Sequence, residues 1–166
     1  MKKALLTLIC GLCLLMAVPA CAQADEAADA VKNLLSYYEF GQKGDIEGMK
    51  TYMSKDYRAE FENAMVANKA FVEMAFMVSA KAKYTIKDAV HKDGIVTINV
   101  HVDQPDFEKI IQKIAPTIDP GVGEAEFYRL LTTKMKKLID DGDYDTSAEE
   151  TAITMVKEDG QWKIFH

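Results

Sequence analysis

Asp88 and Tyr84 are the side chains of this sequence best placed to do chemistry. Both lie in an alternating stretch, Lys83 to His91. If Asp88 stands between Ile86 and Val90 on an apolar strand face, its carboxylate can serve as a general base with the Tyr84 phenol beside it. The plainer reading puts Asp88 near a hairpin end, in solvent. The histidines His91, His101 and His166 share no spacing that would gather a metal. Asp141-Gly142-Asp143-Tyr144-Asp145 opens like a calcium loop, but Thr146 stands at the sharp-turn position and Ala152 where the closing acid belongs. An acidic turn after a helix explains it better. Ser36, Ser54, Ser79 and Ser147 have no histidine partner in the sequence, and no G-x-S-x-G elbow, glycine-rich phosphate loop or H-E-x-x-H run occurs. The sequence implies no metal and no cofactor.

Cys21 invites a different chemistry. Met1-Lys2-Lys3 leads into an apolar run from Ala4 to Val18, broken only by Thr7 and Gly11, and then into Pro19-Ala20-Cys21-Ala22. This is the pattern of a bacterial-type secretory signal over residues 1–22. Val18-Pro19-Ala20-Cys21 resembles a lipobox, in which Cys21 becomes the lipidated first residue. Ala20-Cys21-Ala22 also fits an A-x-A site, which would release a chain starting at Gln23. The apolar run is shorter than the ~20 residues of a membrane-spanning helix. Cys10-Gly11-Leu12-Cys13 has redox spacing but lies inside that run, so the remaining chain keeps at most one cysteine. An internal disulfide and a thiolate metal site fall away with it. The expected location is the periplasm or the outer surface of the bacterial envelope, with a lipid on Cys21 as the membrane partner.

Residues 24–166 suffice for a single domain with a real core. Without Lys2 and Lys3, 18 basic residues face 26 acidic ones, a net charge of −8. There is no basic stripe with interleaved aromatics, and an acidic domain repels nucleic acid.

These residues are positioned by an alternation of helical and strand-like periods. Asp25 to Phe40 reads as a helix stopped by Gly41, and Asp45 caps a short second helix carrying Met49, Tyr52 and Met53. A third helical region, Tyr57 to Ala80, is apolar on most sides near its end and is expected under the sheet. Lys83 to His91 and Ile95 to Asp103 are strands. A two-residue turn at Asp93-Gly94 would set His91, Ala89 and Lys87 against Val96, Ile98 and Val100. A three-residue loop, Lys92-Asp93-Gly94, instead pairs Val90 with Val96, Ile86 with Val100 and Tyr84 with Val102, and sets Asp88 opposite Ile98. That register gathers one apolar face and is preferred. Pro105-Asp106 starts a helix with Phe107, Ile110, Ile111 and Ile114, and Glu124 to Asp140 is another. Thr146 to Lys157 and Gln161 to Phe165 form a second hairpin around Glu158-Asp159-Gly160, where the same loop logic faces Val156 with Trp162 and Thr154 with Ile164. The fold class is α+β: N-terminal helices packed on a curved, cone-like antiparallel sheet, with a helical insertion between two β-hairpins.

With Gly44-Asp45 followed by Met49 and Tyr52-Met53-Ser54, with Val102-Asp103-Gln104-Pro105-Asp106 leading into a helix, and with the closing run Thr154 to Ile164 through Gly160-Gln161-Trp162, the chain resembles the nuclear-transport-factor-2-like, or cystatin-like, superfamily, and within it small bacterial lipoproteins built on a domain of unknown function. The resemblance implies a sheet wrapped around helices with a cone-shaped cavity. That cavity would be lined here by Tyr38, Phe71, Met74, Tyr84, Asp88, Ile98 and Trp162. Some members are isomerases or dehydratases, and many only bind. The function expected is non-catalytic binding of a small apolar ligand or an envelope protein. The alternative is a cone-pocket enzyme using Asp88 with Tyr84. A homodimer through the outer sheet face, with Ile153, Met155 and Phe165 as its patch, is the third expectation. The insertion from about Pro105 to Asp143 departs from the simplest family pattern and could cap or fill the cavity.

Overall fold

The computed structural model describes residues 24–165. Cys21, the apolar run and His166 lie outside the described residues. Helix α1 spans residues 24–43, running past Gly41 and ending where Gly44 takes a left-handed φ of 69°. Gly41 is buried, with Met49 as the neighbour a Cβ would meet. Its small size serves packing, and the helix stop falls to Gly44. Helices α2 (Ile46–Lys50), α3 (Lys55–Ala67) and α4 (Lys69–Ser79) follow. Asp45 accepts from Gly48 N at 2.9 Å as the cap of α2, and Ser54 accepts from Tyr57 N at 3.2 Å as the cap of α3. The long third helical region of the sequence is therefore two helices. They part at Asn68, whose φ of −141° leaves the helical range.

The sheet is an open antiparallel meander in the order β1-β2-β3-β4: β1 (Lys83–Lys92), β2 (Ile95–Pro105), β3 (Thr146–Glu158) and β4 (Gln161–Phe165). Between β2 and β3 lie α5 (Phe107–Ile114), a 3-10 turn (Ala115–Thr117) and α6 (Glu124–Asp141). This insertion leaves and rejoins the sheet at one place. Pro105 pairs with Thr146, and Asp106 N donates to Asp145 O at 2.8 Å. The α+β class and the order of elements stand as expected.

The strand register departs from expectation in an instructive way. Both hairpins turn on two residues. Asp93 and Gly94 have φ of 53° and 78°, and Asp159 and Gly160 have 51° and 78°, the signature of type I′ turns. His91 thus faces Val96 and Ala89 faces Ile98, the pairing not preferred above, which in an unbroken ladder would set Lys87 against Val100 on the inner face. A bulge between Ile86 and Asp88 removes that difficulty. Beyond it, Ile86 pairs with Val100 and Tyr84 with Val102 as expected. Lys87 is extruded, and Asp88 falls opposite Asn99 rather than Ile98. In the second hairpin Lys157 faces Trp162, Met155 faces Ile164 and Thr154 faces Phe165, one residue off the expected register.

Two apolar cores result. The first joins α1 to the inner face of the sheet: Ala30, Leu34, Val96, Ile98, Val100, Val102, Met155, Trp162 and Ile164 are all buried in it. The inner face that the resemblance makes a cavity wall is thus packed against α1. The second core is helical, with Met74 and Val78 of α4, Ile110 and Ile114 of α5, and Leu131, Met135 and Ile139 of α6. The apolar end of the third helical region therefore packs on the insertion rather than under the sheet. The edge of β4 is covered by Tyr52–Ser54: Ile164 N donates to Tyr52 O at 2.7 Å, and Ser54 N donates to Ile164 O at 2.9 Å.

Candidate functional site

On the inner side of the sheet, Tyr38 of α1 stacks on Tyr84 of β1, with Tyr37 and Tyr57 adjoining the same core. Burial pushes the Tyr37 and Tyr38 hydroxyls well above the ordinary phenol range and raises that of Tyr84. For Tyr37 and Tyr38 the neighbouring tyrosines add to the effect. These phenols stay protonated and act as hydrogen-bonding and packing groups.

At the hairpin end of the inner face, Glu26 reaches from the first turn of α1. It accepts from Lys157 Nζ at 2.7 Å and from Trp162 Nε1 at 2.9 Å. These hydrogen bonds hold its carboxyl below the usual range. Lys157 Nζ also lies 5.6 Å from the Trp162 ring centroid. Asn33 Nδ2 donates to Trp162 O at 3.0 Å. His91 stands edge-on to Trp162 at 5.5 Å, and its buried Nδ1 has no hydrogen-bond partner among the described residues. His91 directly precedes the expected Lys92-Asp93-Gly94 loop, and the two-residue turn at Asp93-Gly94 is what places it inward. Glu26 and Lys157 are 131 residues apart, and nothing local in the sequence announces their contact.

The residues expected to line one pocket are divided among four places. Tyr38, Tyr84, Ile98 and Trp162 do meet, in the first core. Met74 is 1% exposed in the second core. Phe71 is 54% exposed and meets Phe107 edge-on. Asp88 is exposed on the outer sheet face and accepts from Asn99 Nδ2 at 2.8 Å. The buried base that a cone-pocket enzyme needs is not at position 88. The expected dimer patch is divided as well. Met155 is fully buried on the inner face and Ile153 packs against the same core, while Phe165 alone of the three is on the outer face.

The acidic turn after α6 is held by lysines. Asp141 pairs with Lys137, Asp143 with Lys113 at 2.8 Å, and Asp145 with Lys109 at 3.5 Å. Gly142 closes the helix with a φ of 71°.

A groove between the start of α4 and the start of α6 is the concave feature the sequence did not reveal. It is lined by Ala67–Phe71, Glu124, Ala125 and Tyr128 and encloses about 580 Å³. Of the lining residues, Phe71 and Tyr128 are 54% and 40% exposed. Its origin is local. Asn68 ends α3 and precedes α4 with a non-helical φ of −141°, so the two helices part at one wall of the groove. Asn68, a poor helix residue inside a long apolar helical pattern, is the sequence signal for that break.

No protein-family model matches the chain, and no curated protein is detectably similar to it. Among solved structures, the chain matches a candidate lipoprotein, YcdA, from Bacillus subtilis, with a TM-score of 0.38 and 13% sequence identity. The match covers 76% of this chain and 41% of that one.

Proposed function

We propose that this chain is an exported envelope protein, tethered to a membrane through a lipid on Cys21, whose folded part is a binding module for a protein partner. The α4–α6 groove carries the binding part of this reading. Large apolar side chains left exposed together around a concavity mark an interaction surface. The groove is open, and its lining mixes Ala67, Ala70, Phe71, Ala125 and Tyr128 with the charged Lys69 and Glu124. An open surface of mixed apolar and charged side chains suits a protein segment, whereas a small apolar ligand is held in a deep pocket that buries most of its surface. The tether rests on the sequence from Met1 to Ala22. Helices ahead of a sheet of two hairpins support a likeness to the nuclear-transport-factor-2-like fold, and the packed inner face departs from that family's cavity. The isomerase or dehydratase reading draws no support from Asp88, which lies in solvent beside Asn99.

Photo-crosslinking in the host cell tests the groove. A photoreactive phenylalanine analogue at position 71 and at position 128 should yield one adduct of the same mass, and the analogue at position 60, on α3, should yield none. No adduct from either groove position, or identical adducts from all three, would count against the reading.

A further inference from the structure

Along more than half of β3, one edge of the sheet is open. β2 pairs with β3 back to Thr146, whereas β4 pairs with it only from Thr154 to Glu158. Thr146 to Ala152 therefore have a strand on one side and, among the described residues, no backbone partner on the other. The remaining edges are protected by recognisable devices. Tyr52–Ser54 cover β4. The free edge of β1 carries Lys83, Lys87 and Lys92 together with the bulge at Lys87, which resist strand addition. Thr146 to Ala152 read Thr-Ser-Ala-Glu-Glu-Thr-Ala, with no lysine, no proline and an unbroken register against β2. Ala148, Glu149 and Glu150 are all exposed, so this stretch is accessible from both faces.

We propose that this edge accepts an extended peptide as an added strand, antiparallel to β3 and in line with β4, and that the peptide is basic at its centre. Seven residues present about 24 Å of edge, enough for recognition through main-chain hydrogen bonds. Side chains alternate along it. Thr151 and Glu149 are on the α1 side of the sheet, Ala152 and Glu150 on the other. Glu149 has no ion pair among the described residues. Glu150 meets His101 Nδ1 at 2.7 Å, and Asp103 lies 3.5 Å from Nε2 of the same ring. An incoming strand thus meets Thr151, Glu150 and Glu149 in turn, which selects a β-branched residue followed by two basic ones. The same glutamates oppose self-association. A two-fold pairing centred on residue 149 or 150 sets a glutamate opposite its own copy, and like charges directly opposed destabilise a ladder. The inference stands independently of the groove and of the lipid.

The probe is a capped hexapeptide, Thr-Val-Lys-Lys-Thr-Thr, titrated into the isotope-labelled protein and followed by amide NMR. The amides of Thr146 to Ala152 should shift and gain protection from exchange. A control peptide with Glu-Glu in place of Lys-Lys should not bind. Glu149→Lys should weaken the lysine peptide tenfold or more, while unchanged Trp162 and Tyr38 signals show the fold intact. Absence of shifts at millimolar peptide, shifts centred on residues 67–71 instead, or indifference to Glu149→Lys would overturn the proposal.

Discussion

Tyr38 lies flat on Tyr84, with ring centroids 3.7 Å apart and planes 4° from parallel. The contact fixes α1 to β1. The stack sits at the boundary of the first core, so each ring is partly buried. Tyr38→Ala should lower the free energy of unfolding by about 2 kcal/mol, below the range for fully buried aromatics. A double-mutant cycle with Tyr84→Ala should return a coupling of about 1 kcal/mol. Chemical denaturation measures both.

Burial raises the Tyr37, Tyr38 and Tyr84 hydroxyls above the ordinary value of 10.0. The folded state therefore holds these protons where the unfolded chain releases them. Their contribution is complete below about pH 10 and is lost as pH rises through the higher folded values. The protein should lose stability on the alkaline side, with phenolate absorbance appearing together with unfolding. Tyr38→Phe should make that limb shallower.

Glu26 is held below the usual carboxylate range by hydrogen bonds from Lys157 and Trp162. Its contribution is present above the unfolded value of about 4.3 and fades as pH falls through the lower folded value. Glu26→Gln should flatten the acid limb of the stability profile and leave the alkaline limb unchanged. Trp162 is the sole tryptophan, so its fluorescence reports this site directly.

Deletion of Lys87 tests the register. Removing the bulged residue joins Ile86 to Asp88 and leaves Tyr84, Ile86, Ala89 and His91 on the inner face, so the protein should fold with a stability change of no more than about 1 kcal/mol. Deletion of Ala89 should be far more damaging, because closing the bulge then sets the Asp88 carboxylate in the inward position opposite Ile98. Circular dichroism and thermal unfolding distinguish the two.

The same bulge shows how far the sequence could be read. Alternation in Lys83 to Asp103 places both strands, and the pairs Ile86–Val100 and Tyr84–Val102 follow from the apolar face alone. The turn does not follow from that face. Asp-Gly favours a two-residue type I′ turn, and the objection that this buries Lys87 holds only for an unbroken ladder. A bulge relieves it, and the sign of a bulge lies in the conflict between turn chemistry and face, visible only when both are kept. The consequences for the site were large, since one residue of register carries Asp88 from the apolar side to solvent and His91 the other way. Phe71 and Met74 were separated by a different cause. The break at Asn68 redirects α4 onto the insertion, and tertiary packing there is not written in any local period. Glu26 with Lys157 and Trp162 depends on a contact across almost the whole chain.

The mass of the intact protein, purified with detergent from the membranes of its host, tests the tethered role most directly. The account predicts a chain that begins at Cys21 and carries the added mass of a diacylglyceryl group, a form absent when Cys21→Ser is expressed. A chain that begins at Gln23 without lipid, or one that still begins at Met1, would contradict it.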